Sequence, residues 1–350
     1  YENVLNTSNV SRLALKWSVK AEGGISASPV IANGLLYVTS EDGTLSALEA
    51  STGTIAWRVS EGTRTYSPAA VAGGRVYVSW ENGSVAAYSA STGSSIWKVD
   101  AGATDPSPVT VADGRAYVAA GSNAYALDAA TGATVWRTTL PNDWGWGAPA
   151  VAAGHVHLHL RGRSVQTLDA ATGAFLWSAP VAESSSADSA PAVVNGVVYV
   201  VGSGAQCLLY AFKASTGALL WRANASSEVD PEGDCDYDAN DGPSAAVANG
   251  VVYSGGWGTS AFDATTGARR WYATGSRVSS PVVANGVLYE SADNGLRALD
   301  AATGATLWSA GMAPSYLRRH VAVVDGRIYT TTQPEWLGDG IVQVFSIDGR

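Results

Sequence analysis

The sequence predicts an all-β fold, a closed eight-bladed propeller of four-stranded antiparallel blades. Three observations predict it. Trp57, Trp97, Trp136, Trp177, Trp221, Trp271 and Trp308 each follow a Thr-Gly pair by four residues, and self-similarity at about 40 residues marks propellers and solenoids. In phase with them run Asn33-Gly34, Gly73-Gly74, Asp113-Gly114, Asn195-Gly196, Asn249-Gly250, Asn285-Gly286 and Asp325-Gly326, pairs that supply the positive φ of a tight hairpin. Ala153-Gly154 fills that slot in the fourth unit. Finally, Tyr37, Tyr77, Tyr117, His157, Tyr199, Tyr253, Tyr289 and Tyr329 mark one strand in each of eight units.

Each unit opens on Pro-Val or Pro-Ala and a short apolar stretch, the first strand. The hairpin pair follows, then a β-branched and aromatic second strand such as Leu35-Leu36-Tyr37-Val38. A second turn leads to a third strand ending near Ala-Leu-Asp, and Thr-Gly leads to the outer, Trp-bearing strand. The eighth unit ends at Asp348-Gly349-Arg350 with no Trp strand after it, whereas Leu13 to Val19, around Trp17, is a Trp strand with no blade before it. The N-terminal strand is therefore expected to complete the last blade and remove a free edge, making residues 1–350 one domain.

The repeat resembles the pyrroloquinoline-quinone (PQQ) type propeller repeat, and the eight units resemble the quinoprotein dehydrogenase superfold. The opening Leu5-Asn6, Asn9-Val10, Leu13 and Trp17 is similar to the segment that leads those enzymes into their first blade. The resemblance implies a cofactor funnel over a Trp, beneath a disulfide of adjacent cysteines, with a Ca²⁺ and a catalytic Asp. The only cysteines here, Cys207 and Cys235, are not adjacent, so PQQ is not the expected cofactor. A PQQ-dependent dehydrogenase is the least favoured reading.

With 30 acidic and 21 basic residues, a net charge of −9 and a pI near 4.9, the surface repels nucleic acid and anionic lipid. No apolar run reaches the length of a bilayer span, and no signal peptide is visible. Low charge and abundant Ala, Gly, Ser and Thr suit a secreted or periplasmic protein whose leader is not in the given chain.

The tryptophans outside the period, Trp80, Trp144, Trp146, Trp257 and Trp336, fall in turns between strands two and three or in a blade link. Propeller topology puts all of them on one face, the top. The blade links dip toward the axis there, and their last residues are Arg64 and Tyr66, Asp105, Trp146, Asp188, Asn240 and Asp241, and Arg318, Arg319 and His320. Aromatic platforms beside Asp, Asn and Arg suit carbohydrate recognition, so the expected ligand is a glycan or similar polar molecule, with the arginines favouring an acidic one. Two chemistries are open. Arg318 or Arg319 could neutralise a uronate for proton removal by Tyr66 or His320, or Asp105 and Asp188 could form a glycosidase carboxylate pair. A scaffold for protein partners, with apolar exposed edges, is the remaining alternative.

The link into blade six places oxygen ligands at Asp234, Asp236, Asp238 and Asn240. That spacing resembles the first half of a Ca²⁺ loop, but Ala239 and Ala245 stand where an EF-hand needs Gly and Glu. Cys207 and Cys235 both map to the top near one blade boundary, so a disulfide between them is expected to pin this link, in keeping with an oxidising compartment. His155, His157 and His159 alternate onto one face of a strand. Zn²⁺ ligation is open to them, but His157 takes the slot of the packing tyrosines, which makes inter-blade packing the better explanation.

Overall fold

The computed structural model describes residues 2–141, 147–160, 164–181, 189–202, 207–225, 244–275, 278–292, 295–312, 320–332 and 338–347. These form eight four-stranded sheets. Blade one is representative: Val30–Ala32, Leu35–Thr39, Thr44–Glu49 and Ile55–Ser60, each antiparallel to the next. The first strands of neighbouring blades touch all round, and blade one's meets blade eight's. The first strands thus line the axis and the Trp strands form the rim. No helix of the described residues is long and apolar enough to cross a membrane.

Ring closure follows the sequence expectation. Leu13–Lys20 pairs antiparallel with Ile341–Ile347 as the outer strand of blade eight. Ahead of it, the Glu2 carboxylate accepts the Val4 and Leu5 amides at 2.6 Å and the Gly326 amide of blade eight at 2.9 Å. The Asn285 side chain of blade seven donates to the Glu2 and Leu5 carbonyls at 3.1 and 3.0 Å. Backbone donors surround a buried carboxylate, which anchors the first residues across the bottom of two blades.

The period of the tryptophans comes from how blades dock. Trp97 Nε1–H and Tyr77 O–H of blade two both donate to the Ala129 carbonyl of blade three, at 3.1 and 3.0 Å. One carbonyl accepts both because it has two lone pairs. The same pairing recurs at Ala90, Ala170, Ala264 and Ala301. Each Tyr–Trp pair is tilted with centroids 5.9 to 6.0 Å apart. The Thr-Gly glycine of the next blade lies on the Trp ring: at Gly217, with φ of +71°, a Cβ would come within 2.4 Å of Trp177. Positive φ and this close approach both demand glycine there.

The hairpin pairs adopt the left-handed conformation the sequence predicts, including Ala153 at φ 49°. Each outer strand also carries a bulge one residue before its Trp, as where Ala211 pairs with Trp221 but Phe212 pairs with Leu219, leaving Leu220 extra. A bulge bends an edge strand and blocks further strand pairing.

Candidate functional site

The top of blades one to three is knitted by backbone bonds from strand-two-to-three turns to the links. The Glu41 amide donates to Gly24 O and the Glu81 amide to Arg64 O, both at 2.8 Å, and the Asp105 amide donates to Glu81 O at 2.9 Å. These bonds gather charged side chains of different blades. The Arg64 guanidinium has its pKa raised by a hydrogen bond with Tyr66 and by the carboxylates of Glu81 and Glu41. Burial raises the Glu41 carboxyl, with Ser26 and Arg64 pulling it back. His320, the first residue of blade eight, has Nε2 at 2.9 Å from the Ser26 carbonyl, so it donates there as the Nε2–H tautomer or as the cation.

Of the residues expected from sequence, Arg64, Tyr66 and His320 therefore join one set spanning blades eight, one and two, completed by Ser26, Glu41 and Glu81. Sequence reasoning missed the two glutamates, although they occupy equivalent turns, Ser40-Glu41-Asp42-Gly43 and Trp80-Glu81-Asn82-Gly83. Tyr66 is 36% exposed. Asp105 adjoins the set through Glu81, with its carboxyl raised by burial. Its φ of +51° is a strained value outside the hairpin tips, of a kind that functional sites hold. In chemical terms the set offers a fixed cation between carboxylates, an exposed phenol and a partly desolvated acid.

One other expectation changes. Trp80 is fully buried in the core between blades one and two, so it presents no face for stacking; the turn carries its ring inward beneath Glu81. Trp257 is 44% exposed, and its carbonyl accepts the Tyr272 hydroxyl, which ties its turn to the outer strand of blade six. Trp144, Trp146, Trp336, Asp188, Asp241, Arg318 and Arg319 lie outside the described residues, as do Asp234, Asp236, Asp238 and Asn240 and Cys235. Cys207 is buried.

The histidine strand is packing. The His157 ring lies 5.8 Å from Trp177, as the tyrosines lie on theirs. Its Nδ1 is 2.7 Å from Thr167 Oγ1, and His159 Nδ1 is 3.0 Å from Ser189 Oγ. Burial lowers both imidazoles to about 4, His155 adding to the effect on His157. They are neutral at pH 7. No group of three or more metal-ligating side chains is assembled among the described residues.

One charged group was not foreseen. Glu290 of blade seven is fully buried, ion-paired with Arg297 and accepting the Thr259 hydroxyl of blade six. Arg297 also donates to the Thr274 carbonyl at 2.7 Å. Burial raises the Glu290 carboxyl, against the pull of Arg297 and Thr259. The signal was a Glu directly after the strand-two Tyr, where blades one to five have Val38, Val78, Val118, Leu158 and Val200.

The cysteine placement does not fit a quinone pocket closed by a disulfide of adjacent residues, and no chemistry is routed through PQQ.

A family model described as outer membrane protein assembly factor BamB matches residues 9–79, 56–125, 81–227 and 207–350, the overlaps reflecting the repeat. Among curated proteins, outer membrane protein assembly factor BamB of Yersinia pestis is 29% identical over 196 residues, 53% of this chain and 48% of that protein. Tetrathionate hydrolase of Acidithiobacillus ferrooxidans is 23% identical over 238 residues, 61% of this chain and 46% of that protein. The chain spans about half the length of these curated relatives. Among solved structures, BamB from Moraxella catarrhalis has a TM-score of 0.76 at 19% identity, covering 95% of this chain and 99% of that one. Quinohemoprotein alcohol dehydrogenase from Comamonas testosteroni has a TM-score of 0.78 at 17% identity, covering 100% and 78%. At those identities the structural likeness is one of fold. The family match, running over repeats whose docking geometry is described above, shows that this chain belongs to the BamB family of PQQ-type repeat propellers.

Proposed function

We propose that this chain is an extracytoplasmic scaffold that binds protein partners on the outer rim of its ring. The observation that carries this reading is the exposure of large apolar side chains on outer strands, above all Phe175 at 58%, Leu176 at 43%, Leu219 at 53% and Leu220 at 50%. A monomer has no packing reason to present such doublets on adjacent blades, and exposed apolar patches mark interaction sites. The assembly role printed in the family's description supports the same reading. A disulfide between Cys207 and Cys235 belongs to the proposal, because it would place the chain in an oxidising compartment. Intact mass measured without reductant tests it. A pair of reactive thiols in the native, oxidised protein would remove that support.

The scaffold reading is tested with a photo-reactive phenylalanine at Leu220 and, separately, at Ser51, an exposed turn residue on the bottom face. Discrete protein adducts from Leu220 in living cells, absent at Ser51, are expected. No adduct at Leu220 would count against the rim as a contact surface.

A second reading, favoured by the Arg64–Tyr66–Glu41–Glu81 set and the strained Asp105, is a polar ligand on the top face, such as an acidic carbohydrate. A glycan array is its test. Arg64→Ala should selectively weaken any acidic glycan that binds, by about tenfold for the loss of one charge-assisted bond. Unchanged binding would remove Arg64 from the site.

A further inference from the structure

The exposed apolar residues are unevenly distributed around the rim. The outer strands of blades eight, one, two and three each present one large exposed apolar side chain before the docking Trp, namely Leu15, Ile55, Ile96 and Val135. Blades four and five present two each, Phe175-Leu176 and Leu219-Leu220. The doublets are close along the ring, because Leu176 adjoins Trp177 and Leu219 is two residues beyond Gly217, which rests on the Trp177 ring.

The charge beside them is also unusual. In blades three, four, six and seven the third strand ends in an Asp that caps the Thr-Gly turn. Asp128 Oδ1, for example, accepts the Ala130 and Thr131 amides at 3.0 and 2.8 Å. Blade five has Lys213 in that slot, exposed, and Arg222 exposed one residue after Trp221. Several rim cations are neutralised: Arg58 pairs with Glu22 at 3.0 Å, Arg270 with Asp263 at 2.7 Å, and Lys98 with Glu61, whereas Arg137, the blade-three counterpart of Arg222, lies over the Tyr125 ring and has a single apolar neighbour, Val135, exposed beside it. Lys213 and Arg222 pair with no carboxylate among the described residues. In a chain of net charge −9, two cations with no carboxylate partner among the described residues thus stand beside the sector of the described rim that exposes the most apolar side chains.

Strand addition does not suit this edge, since Leu176 and Leu220 are themselves the bulged residues of their strands. Anionic lipid is disfavoured by the overall negative charge. An apolar strip flanked by cations instead matches a helix with an apolar stripe and an acidic flank. Resting on the scaffold reading, we propose that the rim of blades four and five docks an acidic amphipathic helix of a partner protein, its apolar face on Phe175, Leu176, Leu219 and Leu220 and its carboxylates toward Lys213 and Arg222.

The test uses three synthetic peptides with the full chain: a helix with Leu at i, i+3, i+4 and i+7 flanked by Glu, the same helix flanked by Lys, and an alternating Val-Glu strand former. Isothermal titration should show the Glu helix binding at least about tenfold more tightly than the Lys helix. Leu219→Ser/Leu220→Ser should abolish that binding, and Lys213→Glu/Arg222→Glu should reverse the preference. All four positions are exposed, so folding should be unaffected, which unchanged thermal melting would verify. Equal binding of both helices, tighter binding of the strand former, or binding insensitive to the serine pair would overturn the proposal. So would Leu220-dependent self-association in sedimentation, which makes a second copy the occupant, or Leu220-dependent binding to phosphatidylglycerol vesicles. Cellular adducts at Leu220 without peptide selectivity would sink the helix assignment and leave the scaffold reading standing. Selective peptide binding without cellular adducts would do the reverse.

Discussion

The boundary between blades two and three and the boundary between blades six and seven share one docking device and differ in the layer beside it. At the first, Tyr77 and Trp97 share the Ala129 carbonyl, and the surrounding side chains are apolar, Val118 among them. At the second, Tyr253 and Trp271 share the Ala301 carbonyl in the same way. The residue equivalent to Val118, however, is Glu290, buried with Arg297 and Thr259. Docking relies on backbone carbonyls and glycine turns, which side-chain changes elsewhere leave intact. The adjoining layer is therefore free to change from apolar to ionic.

The largest expected effect comes from breaking that ion pair. Glu290→Val should destabilise by about 3 kcal/mol or more, because the partly buried Arg297 loses its carboxylate and the buried Thr259 hydroxyl loses its acceptor. Glu290→Val/Arg297→Ala, which restores the cross-strand pair that blade two has in Val78 and Ala86, should recover most of that loss. Denaturant unfolding checks both. If the double variant is no better than the single one, the charged layer is not equivalent to the apolar one.

A third kind of boundary lies between blades four and five, where His157 replaces the Tyr. Its folded value of about 4, like that of His159, is below the ordinary 6.5 of an unfolded histidine. The unfolded chain then binds the proton more readily. Stability should fall as pH drops below about 6.5 and stop responding to these groups below about 4, a loss of roughly 3 kcal/mol per imidazole. His157→Tyr should remove its share and flatten the acid limb of a melting-temperature profile between those values. An unchanged limb would mean that His157 is not held neutral by burial.

The fold was legible because its signals are local and repeated. A glycine against a Trp ring and a positive φ at a hairpin tip each restrict residue choice, and eight copies make the restriction visible. The top face was less so. Arg64, Tyr66 and His320 could be placed by topology, since link residues must approach the axis. Glu41 and Glu81 were passed over because a Glu in a turn usually signals only solvent exposure. Trp80 was misplaced for a related reason: a turn position gives the face of the ring on which a residue lies, not the direction of its side chain. Glu290 breaks the repeat visibly, as a Glu where other blades have Val or Leu, but its partners do not follow from that, since Arg297 meets it across a strand pair and Thr259 is on another blade.

The smallest expected effects would sharpen the comparison most, because they separate the docking bond from the packing around it. Trp177, Trp97 and Trp17 occupy equivalent slots with three different hydrogen-bond arrangements. The Ala214 carbonyl accepts Trp177 Nε1–H at 2.8 Å, and His157 does not reach it. The Ala129 carbonyl accepts both Trp97 and Tyr77. Trp17 Nε1 is buried without a partner. Replacement by Phe removes the N–H in each case and a similar area of ring. At Trp177 it also strips a carbonyl of its only side-chain donor, which costs about 1 to 3 kcal/mol for an unsatisfied buried acceptor. At Trp97 the tyrosine still satisfies the carbonyl, so the hydrogen-bond part should be about 1 kcal/mol. At Trp17 no bond is lost, and removing an unsatisfied donor offsets part of the packing loss. Unfolding free energies should therefore fall most for Trp177→Phe, less for Trp97→Phe and least for Trp17→Phe. Equal losses at all three would show that the ring contact alone docks the blades, and that the shared carbonyl is a consequence of the packing.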